Sequence, residues 1–378
     1  MKSLTIAPYT SAQVLNAIRG VTGIRQWDFR FDLLSSTGTF IKTLTNVKRD
    51  GNNAVTHDST AEIKRTATFS IVEDGTINYL SNRIKPYVRL RMDAANWVEW
   101  PMGVFLLTTP KKGADLAGVV TRDIECYDQT IVLQSDKLAA RYFVGAAAKY
   151  TDAISELLLN ATGLSGYSVT TNAATLPVAK EWDPGTTRYQ IIKDLTDAIG
   201  YNSIWFNSSG VAQVTPWADP YGRASEFDYY TDSTSLILPG ASQTLDLFGM
   251  PNSWVFFVSN PDRAALRVTR ANTSATSPTS SHVSQRNQII TEVVQVDDAV
   301  DLTVLGAIAD QYVLNETMVF EQIDFSTGLA PQHEHLDMYN FNHTDLTVSG
   351  KYVEIGWSMP LVVGGSMTHT AQKAIQLT

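Results

Sequence analysis

IECYDQTIVLQSDKL, residues 124–138, is where one kind of structure gives way to another. On its upstream side Ile124 and Cys126 alternate with polar neighbours, as in a strand with one buried face. Beyond it, KYTDAISELLLN (149–160) spaces its apolar residues three and four apart, which is the period of a helix. The stretch therefore closes a strand-rich first third and opens an α/β middle.

Upstream, TFIKTLTNV, TATFSIVED, PYVRLRM, WVEWPMGVFLLTTP and VVTRDIECYD are β-rich or alternating runs, with Gly75, Gly103, Gly113 and Gly118 between them. This pattern predicts a small antiparallel barrel or sandwich. Residues 1–20 read as a short helix or an arm. Cys126 is the single cysteine, so an intramolecular disulfide is excluded, and its strand position predicts a buried small hydrophobe.

Downstream, Ala153, Ile154, Leu157, Leu158 and Ala161 share one helical face, with Thr151 as the expected N-cap and Gly163 as the stop. A second helix follows Pro184-Gly185, capped by Thr186 or Thr187, with Ile191, Ile192, Leu195 and Ile199 as its stripe and Gly200 at its end. YNSIWFNSSGVAQVTPW then reads as a hairpin turning at Asn207-Ser208-Ser209-Gly210. From about 236 strands return in SLILPG and SWVFFVS, and NTSATSPTSSH (272–282) reads as a mobile or partner-covered loop. A third helix is expected over 299–316, with Leu302, Leu305, Ile308, Ala309, Tyr312 and Val313 toward a sheet.

A chain of 378 residues exceeds one ordinary core and predicts two or three domains. No apolar run approaches the roughly 18 residues of a membrane span, and the N-terminus lacks the pattern of a secretion signal. The formal charge of −9 argues against electrostatic capture of nucleic acid, which needs clustered Lys and Arg. DNA passing an acidic wall without being held is compatible with that charge.

Taken in order, WVEWPMGVFLLTTP, CYDQ with Asp136-Lys137, YTDAISELLL, EWDPGTTRYQIIKDLTDAIGYNSIWFNSSGVAQVTPW and VSNPDRAALRVTRANTSATSPTS resemble the baseplate-hub, or minor tail, proteins of long-tailed phages. The chain departs from that pattern most in FSTGLAPQHEHLDMYNFNHTDL (325–346). The resemblance implies a β-rich α+β protein with two tube-like antiparallel β-barrel domains and an α/β insert. Residues 1–131 would be the first barrel with an N-terminal arm, 132–235 the insert, and 236–378 the second barrel including the helix at 299–316. It further implies a non-enzymatic homotrimer at the virion tail tip, assembled in the host cytoplasm and lining the genome-ejection channel. Its partners would be a tail tube or distal tail protein, tip or fibre proteins and the tape measure protein, with DNA only in transit. Two similar barrels per chain in a threefold ring present six near-equivalent surfaces to a sixfold tube.

His333-Glu334-His335 and His343 put three of the six histidines close together, and a metal could use His333 and His335 with Asp337 or His343 as a third ligand. The spacing is not that of a helical zinc motif, so the preferred expectation is an ordinary polar loop or strand, with no metal and no cofactor. Asp297-Asp298, Glu321 with Asp324, and Asp183 offer carboxylates for a cell-wall hydrolase, but no hydrolase signature accompanies them. His57-Asp58-Ser59 is expected in a polar loop and is adjacent in sequence only, unlike a catalytic triad. Trp97, Trp100, Tyr229 and Tyr230 allow a glycan-binding adhesin, although aromatic residues in strands more often fill cores or interfaces.

Overall fold

The computed structural model describes every residue except 22, 24, 50–51, 115–117, 221, 246–247, 259–264, 276, 297–298, 300, 319–320 and 374–378, and at 109 and 318 the backbone alone. Helix α1 (Ser11–Ile18) opens the chain, with Thr10 as its N-cap in a capping box with Gln13. Eight strands follow: β1 (Trp27–Leu34), β2 (Phe40–Leu44), β3 (Ala54–Asp58), β4 (Arg65–Val72), β5 (Arg83–Arg91), β6 (Trp97–Pro101), β7 (Phe105–Ala114) and β8 (Val120–Tyr127). The middle comprises α2 (Thr130–Ser135), β9 (Tyr142–Val144), α3 (Tyr150–Leu159), β10 (Tyr167–Val169), β11 (Lys180–Trp182), α4 (Arg188–Asp197), β12 (Trp205–Phe206) and β13 (Ala212–Val214). The remainder holds β14 (Phe227–Tyr230), β15 (Ser242–Leu245), β16 (Ser253–Val258), β17 (Leu266–Ala271), β18 (Thr291–Gln295), α5 (Leu302–Met318), β19 (Glu321–Thr327), β20 (Met338–His343), β21 (Val348–Pro360) and β22 (Met367–Lys373).

The strands before and after the middle segment join in one sheet of 14, in the order β15-β19-β22-β21-β3-β4-β8-β7-β5-β1-β2. Strands β20 and β6 branch from β21 and β5, and β14 lies parallel to β20. The two ends of the chain meet at β3 and β21, where Val55 opposes Met359 and His57 opposes Trp357. Side chains from both flanks fill a single core: Phe31, Phe69 and Phe105 with Tyr229, Phe325, Phe341 and Trp357. Each such aromatic, taken fully out of water, contributes about 1.5–3 kcal/mol. The path of strands is open, and among the described residues it traces no closed barrel. The β-rich α+β class is as expected.

The middle segment has its own core, built from Ile154, Leu157 and Leu158 of α3, Ile191, Ile192 and Leu195 of α4, and Phe206, Ala212 and Val214 of the hairpin. Thr187 caps α4, its hydroxyl accepting from the Gln190 N–H at 3.1 Å. Thr151 does not cap α3; it lies inside the helix, and the N-cap is Lys149 without a side-chain bond. The helix thus starts two residues earlier than hydroxyl chemistry alone suggests, with Tyr150 buried in its first turn.

A third core joins β16 to α5 through Trp254, Phe256, Val258, Leu305, Ala309 and Val313. Leu302, expected on the buried stripe, is the first residue of α5 and is 55% exposed. The Ser/Thr-rich loop after β17 is folded onto itself rather than left to solvent. Asn272 Nδ2 donates to Ser277 Oγ at 2.8 Å, and Asn252 Nδ2 donates to the Thr279 carbonyl at 2.9 Å. Side-chain amides thus replace the apolar contacts the loop lacks.

Candidate functional site at a buried polar junction

The segment between β19 and β20, residues 328–337, is where the N-terminal residues, both flanks of the main sheet and the insert meet, and its His333, Glu334, His335 and Asp337 each contact groups from another part of the chain. Glu334 pairs with the Arg65 guanidinium on β4, and its other oxygen accepts from the Ser208 N–H of the β12–β13 turn at 3.2 Å. Burial raises the Glu334 carboxyl, but Arg65 and Lys2 outweigh it and hold it at about 2. Arg65 also donates to the Met102 carbonyl at 3.2 Å, so its charge is shared between an ion pair and a backbone dipole.

One residue further, His335 faces the other way and joins the sheet to the insert. Its Nδ1 lies 3.1 Å from His57 Nε2, and its ring stacks on Trp205 at 4.7 Å. His57 in turn stacks on Trp357. Burial, with Lys64 and Arg65 nearby, depresses His335 to about 3; burial and the His335 ring push His57 well below the usual range. Both rings are neutral, so one donates and the other accepts.

His333 points to a third set of partners. Its Nε2 lies 2.6 Å from Tyr229 Oη, and its Nδ1 is in close contact with Glu354. The second Glu354 oxygen lies 2.5 Å from His369 Nδ1 on β22, whose Nε2 lies 2.8 Å from Thr327 Oγ1. Burial depresses His333, but Glu354 and Asp337 override it and hold the ring up at about 9. Glu354, raised by burial but facing His333 and His369, falls to about 2. A β-bulge in β21 between Glu354 and Gly356 makes this arrangement: it reverses the alternation, so Tyr352 and Glu354 before it and Trp357 and Met359 after it are all buried.

The three histidines singled out from sequence are thus given different partners. His333 and His335 lie in separate clusters, and His343, at the end of β20, stacks on Phe341 with Nδ1 accepting from the Leu346 N–H at 3.3 Å. Glu354 and His369, which complete the His333 cluster, were not anticipated. The available signal was a glutamate in the apolar run YVEIGW. His57-Asp58 lies in β3 rather than in a loop, because pairing with β21 extends the strand through it; His57 is buried while Asp58 accepts from the Thr60 hydroxyl. Glu321 and Asp324 are three apart on β19, hence on opposite faces, and Asp183 is exposed beside Arg141. Asp297-Asp298 lies outside the described residues. Cys126 is buried, and burial raises its thiol. Trp100 and Tyr229 are core residues, whereas Tyr230, alternate to Tyr229, is 41% exposed.

Beside the junction a cleft of about 520 Å³ opens between the insert and α5, lined by Trp205, Trp217, Arg223, Gln311, Glu316 and His335 among others. Among the described residues Glu316 is its single lining carboxyl, so these residues do not assemble the paired acids of glycoside hydrolysis there. Arg223 is held by the Leu336 carbonyl at 2.8 Å and by Glu226.

No protein-family model matches the sequence, and no curated protein matches it. Solved structures do. A tail protein from Neisseria meningitidis MC58 superposes with a TM-score of 0.64 at 12% identity, over 92% of this chain and 97% of that one. The chain has the fold of phage tail proteins. Within that fold it is also similar to the 43 kDa tail protein of prophage MuSo2 from Shewanella oneidensis, with a TM-score of 0.60, 8% identity, and 91% and 98% of the two chains covered. A prophage tail protein from Listeria monocytogenes EGD-e gives 0.54 at 12% identity, covering 91% and 94%. The tail-protein fold agrees with the resemblance read from the sequence motifs. Its polar junction ties together the N-terminal residues, both flanks of the sheet and the insert.

Proposed function

We propose that this chain is a structural subunit of a phage tail, the hub at the tail tip or baseplate, and that it is not an enzyme. The observation carrying this is the tail-protein fold running through nine-tenths of the chain and of each tail protein it resembles. In this reading three copies form a closed ring that adapts a sixfold tube to a threefold tip and lines the ejection channel. Residues 1–131 and 236–378 supply the two tube-like barrels, and 132–235 the decoration between them. The open sheet ends in β15 and β2, with Leu245, Phe40 and Ile41 exposed on them. Neighbouring chains in a ring would cover these edges and complete the barrels. Tail tube or distal tail protein would bind above, tip or fibre and tape measure proteins below. Three chains of −9 each would give an acidic assembly past which DNA slides without being held.

Light scattering across a wide concentration range, followed by imaging of the same fractions, tests the reading. The expected species has about three times the 41.6 kDa chain mass and a central hole. A strict monomer that binds or cleaves cell-wall glycan would instead identify an adhesin or hydrolase.

A further inference from the structure

The cluster around Glu354 has features that an ion pair alone does not account for. Its donors come from three places: His333 and Asp337 from the 328–337 segment, Glu354 from the bulge in β21, and His369 from β22. One ligand atom each from His333, Glu354 and His369 lies within 4.8 Å of the others. Beside them Asp337 Oδ2, which also accepts from the Glu334 N–H at 2.7 Å, is 3.4 Å from His333 Nδ1, and Asp337 Oδ1 pairs with the N-terminal ammonium at 2.6 Å. All four side chains are buried.

The orientation of the two rings is set from outside. Tyr229 Oη holds the Nε2 of His333 and Thr327 Oγ1 holds the Nε2 of His369, so both Nδ1 atoms face the carboxylate between them. A hydrogen-bond partner on the outer nitrogen fixes the orientation of a metal-ligating imidazole, and here two hydroxyls fill that place. At the centre, His333 Nδ1 and Glu354 Oε2 form a close ion pair, and the other Glu354 oxygen meets His369 Nδ1. Three ligand-type atoms thus converge on one buried point. Phe325 stacks on His369 at 4.7 Å and Tyr229 on His333 at 6.0 Å, closing the focus from water.

We propose that His333, Glu354, His369 and Asp337 bind a divalent first-row transition metal ion, Zn²⁺ above others, as a structural clamp. Two imidazoles with carboxylates suit zinc or iron and disfavour calcium and magnesium, which take oxygen ligands. Four-coordinate bonds of the usual length place donors about 3.3 Å apart. Coordination therefore requires His333 Nδ1 and Glu354 Oε2 to move apart from their present contact. The ion would pin the 328–337 segment to β21 and β22. This set shares only His333 and Asp337 with the combination suggested by sequence, and the inference is independent of the tail reading.

The test uses the whole chain, stripped with a chelator and titrated with Co²⁺. One equivalent per chain with the visible absorption of four-coordinate Co²⁺, displaced by Zn²⁺, is expected. His333→Gln and His369→Gln should abolish it, and His343→Gln should leave it unchanged. Absence of the band, or its persistence in folded His333→Gln and His369→Gln proteins, overturns the proposal. X-ray absorption on the zinc-loaded natural chain decides the matter if those variants do not fold: two imidazoles in the first shell support the site, and an all-oxygen shell overturns it.

Discussion

Arg65 and Glu334 stand 269 residues apart in the sequence and form one buried ion pair, with side-chain exposures of 1% and 12%. The pair locks the strand β4 of the first half to the segment preceding β20 in the second, and through Ser208 it reaches the insert. Glu334→Leu leaves a buried guanidinium without its counter-ion and should cost about 3–5 kcal/mol in chemical unfolding. Arg141→Ala, at an exposed pair with Glu181, should change stability by about 1 kcal/mol or less. Adding Arg65→Met to Glu334→Leu should recover part of the loss, because the unpaired charge goes with it. Equal effects at the two pairs would show that the junction does not hold the halves together.

Acid should weaken the same junction in a defined window. Glu334 sits at about 2 in the fold against an ordinary 4.5, so its contribution is fully present above about 4.5 and is lost as pH falls toward about 2. Glu354 shares that window. Glu334→Leu should therefore flatten part of the decline in unfolding midpoint between these values, and an unaltered slope would contradict the assignment.

His335 acts at a higher pH. It is held neutral, at about 3 against an ordinary 6.5, among Lys64, Arg65, Arg223, Glu334 and His57. The unfolded chain takes up its proton below about 6.5 while the folded chain resists, so stability falls as pH drops from that point toward about 3. Replacing His335 with Phe keeps the stack on Trp205 and should reduce the loss between pH 7 and 5 in thermal melting. His57 titrates in the same sense, so the reduction should be partial.

Gly210 tests how the insert is seated. Its φ is +84°, and an added Cβ would lie 2.6 Å from Val104 Cγ2 and 2.8 Å from Gln129 Nε2. The Gln129 amide also donates to the Gly210 carbonyl at 2.6 Å. Gly210→Ala should cost about 1–3 kcal/mol from backbone strain, with clash added to it. Hydrogen exchange should rise first across the β12–β13 turn and α2.

The core between β16 and α5 is separate from the main one. Phe256→Ala there should cost about 3–5 kcal/mol. Because the main sheet shares none of these side chains, exchange should accelerate in β16–β18 and α5 and stay unchanged in β3 and β21. A uniform increase across the chain would mean the two cores unfold as one.

Short-range signals carry their information within about a dozen residues. The helices α3, α4 and α5 were legible because 3.6-residue periodicity writes itself into such a window, and so was the turn at Gly210, where only glycine tolerates the backbone. Burial of Cys126 followed from alternation alone. The ordered motifs also led to the tail-protein fold.

What lay beyond that reach was decided by pairing across the chain. The joining of β3 to β21 puts His57 in a strand and merges the two flanks into one sheet, and no local pattern records which distant strand is the partner. Likewise His333 meets Glu354 and His369 only because a one-residue bulge in β21 reverses the side-chain alternation and turns the glutamate inward. Sequence determines which residues are apolar and where the chain can turn; the tertiary structure decides which charges must share a dry interior, because that depends on contacts between residues hundreds of positions apart.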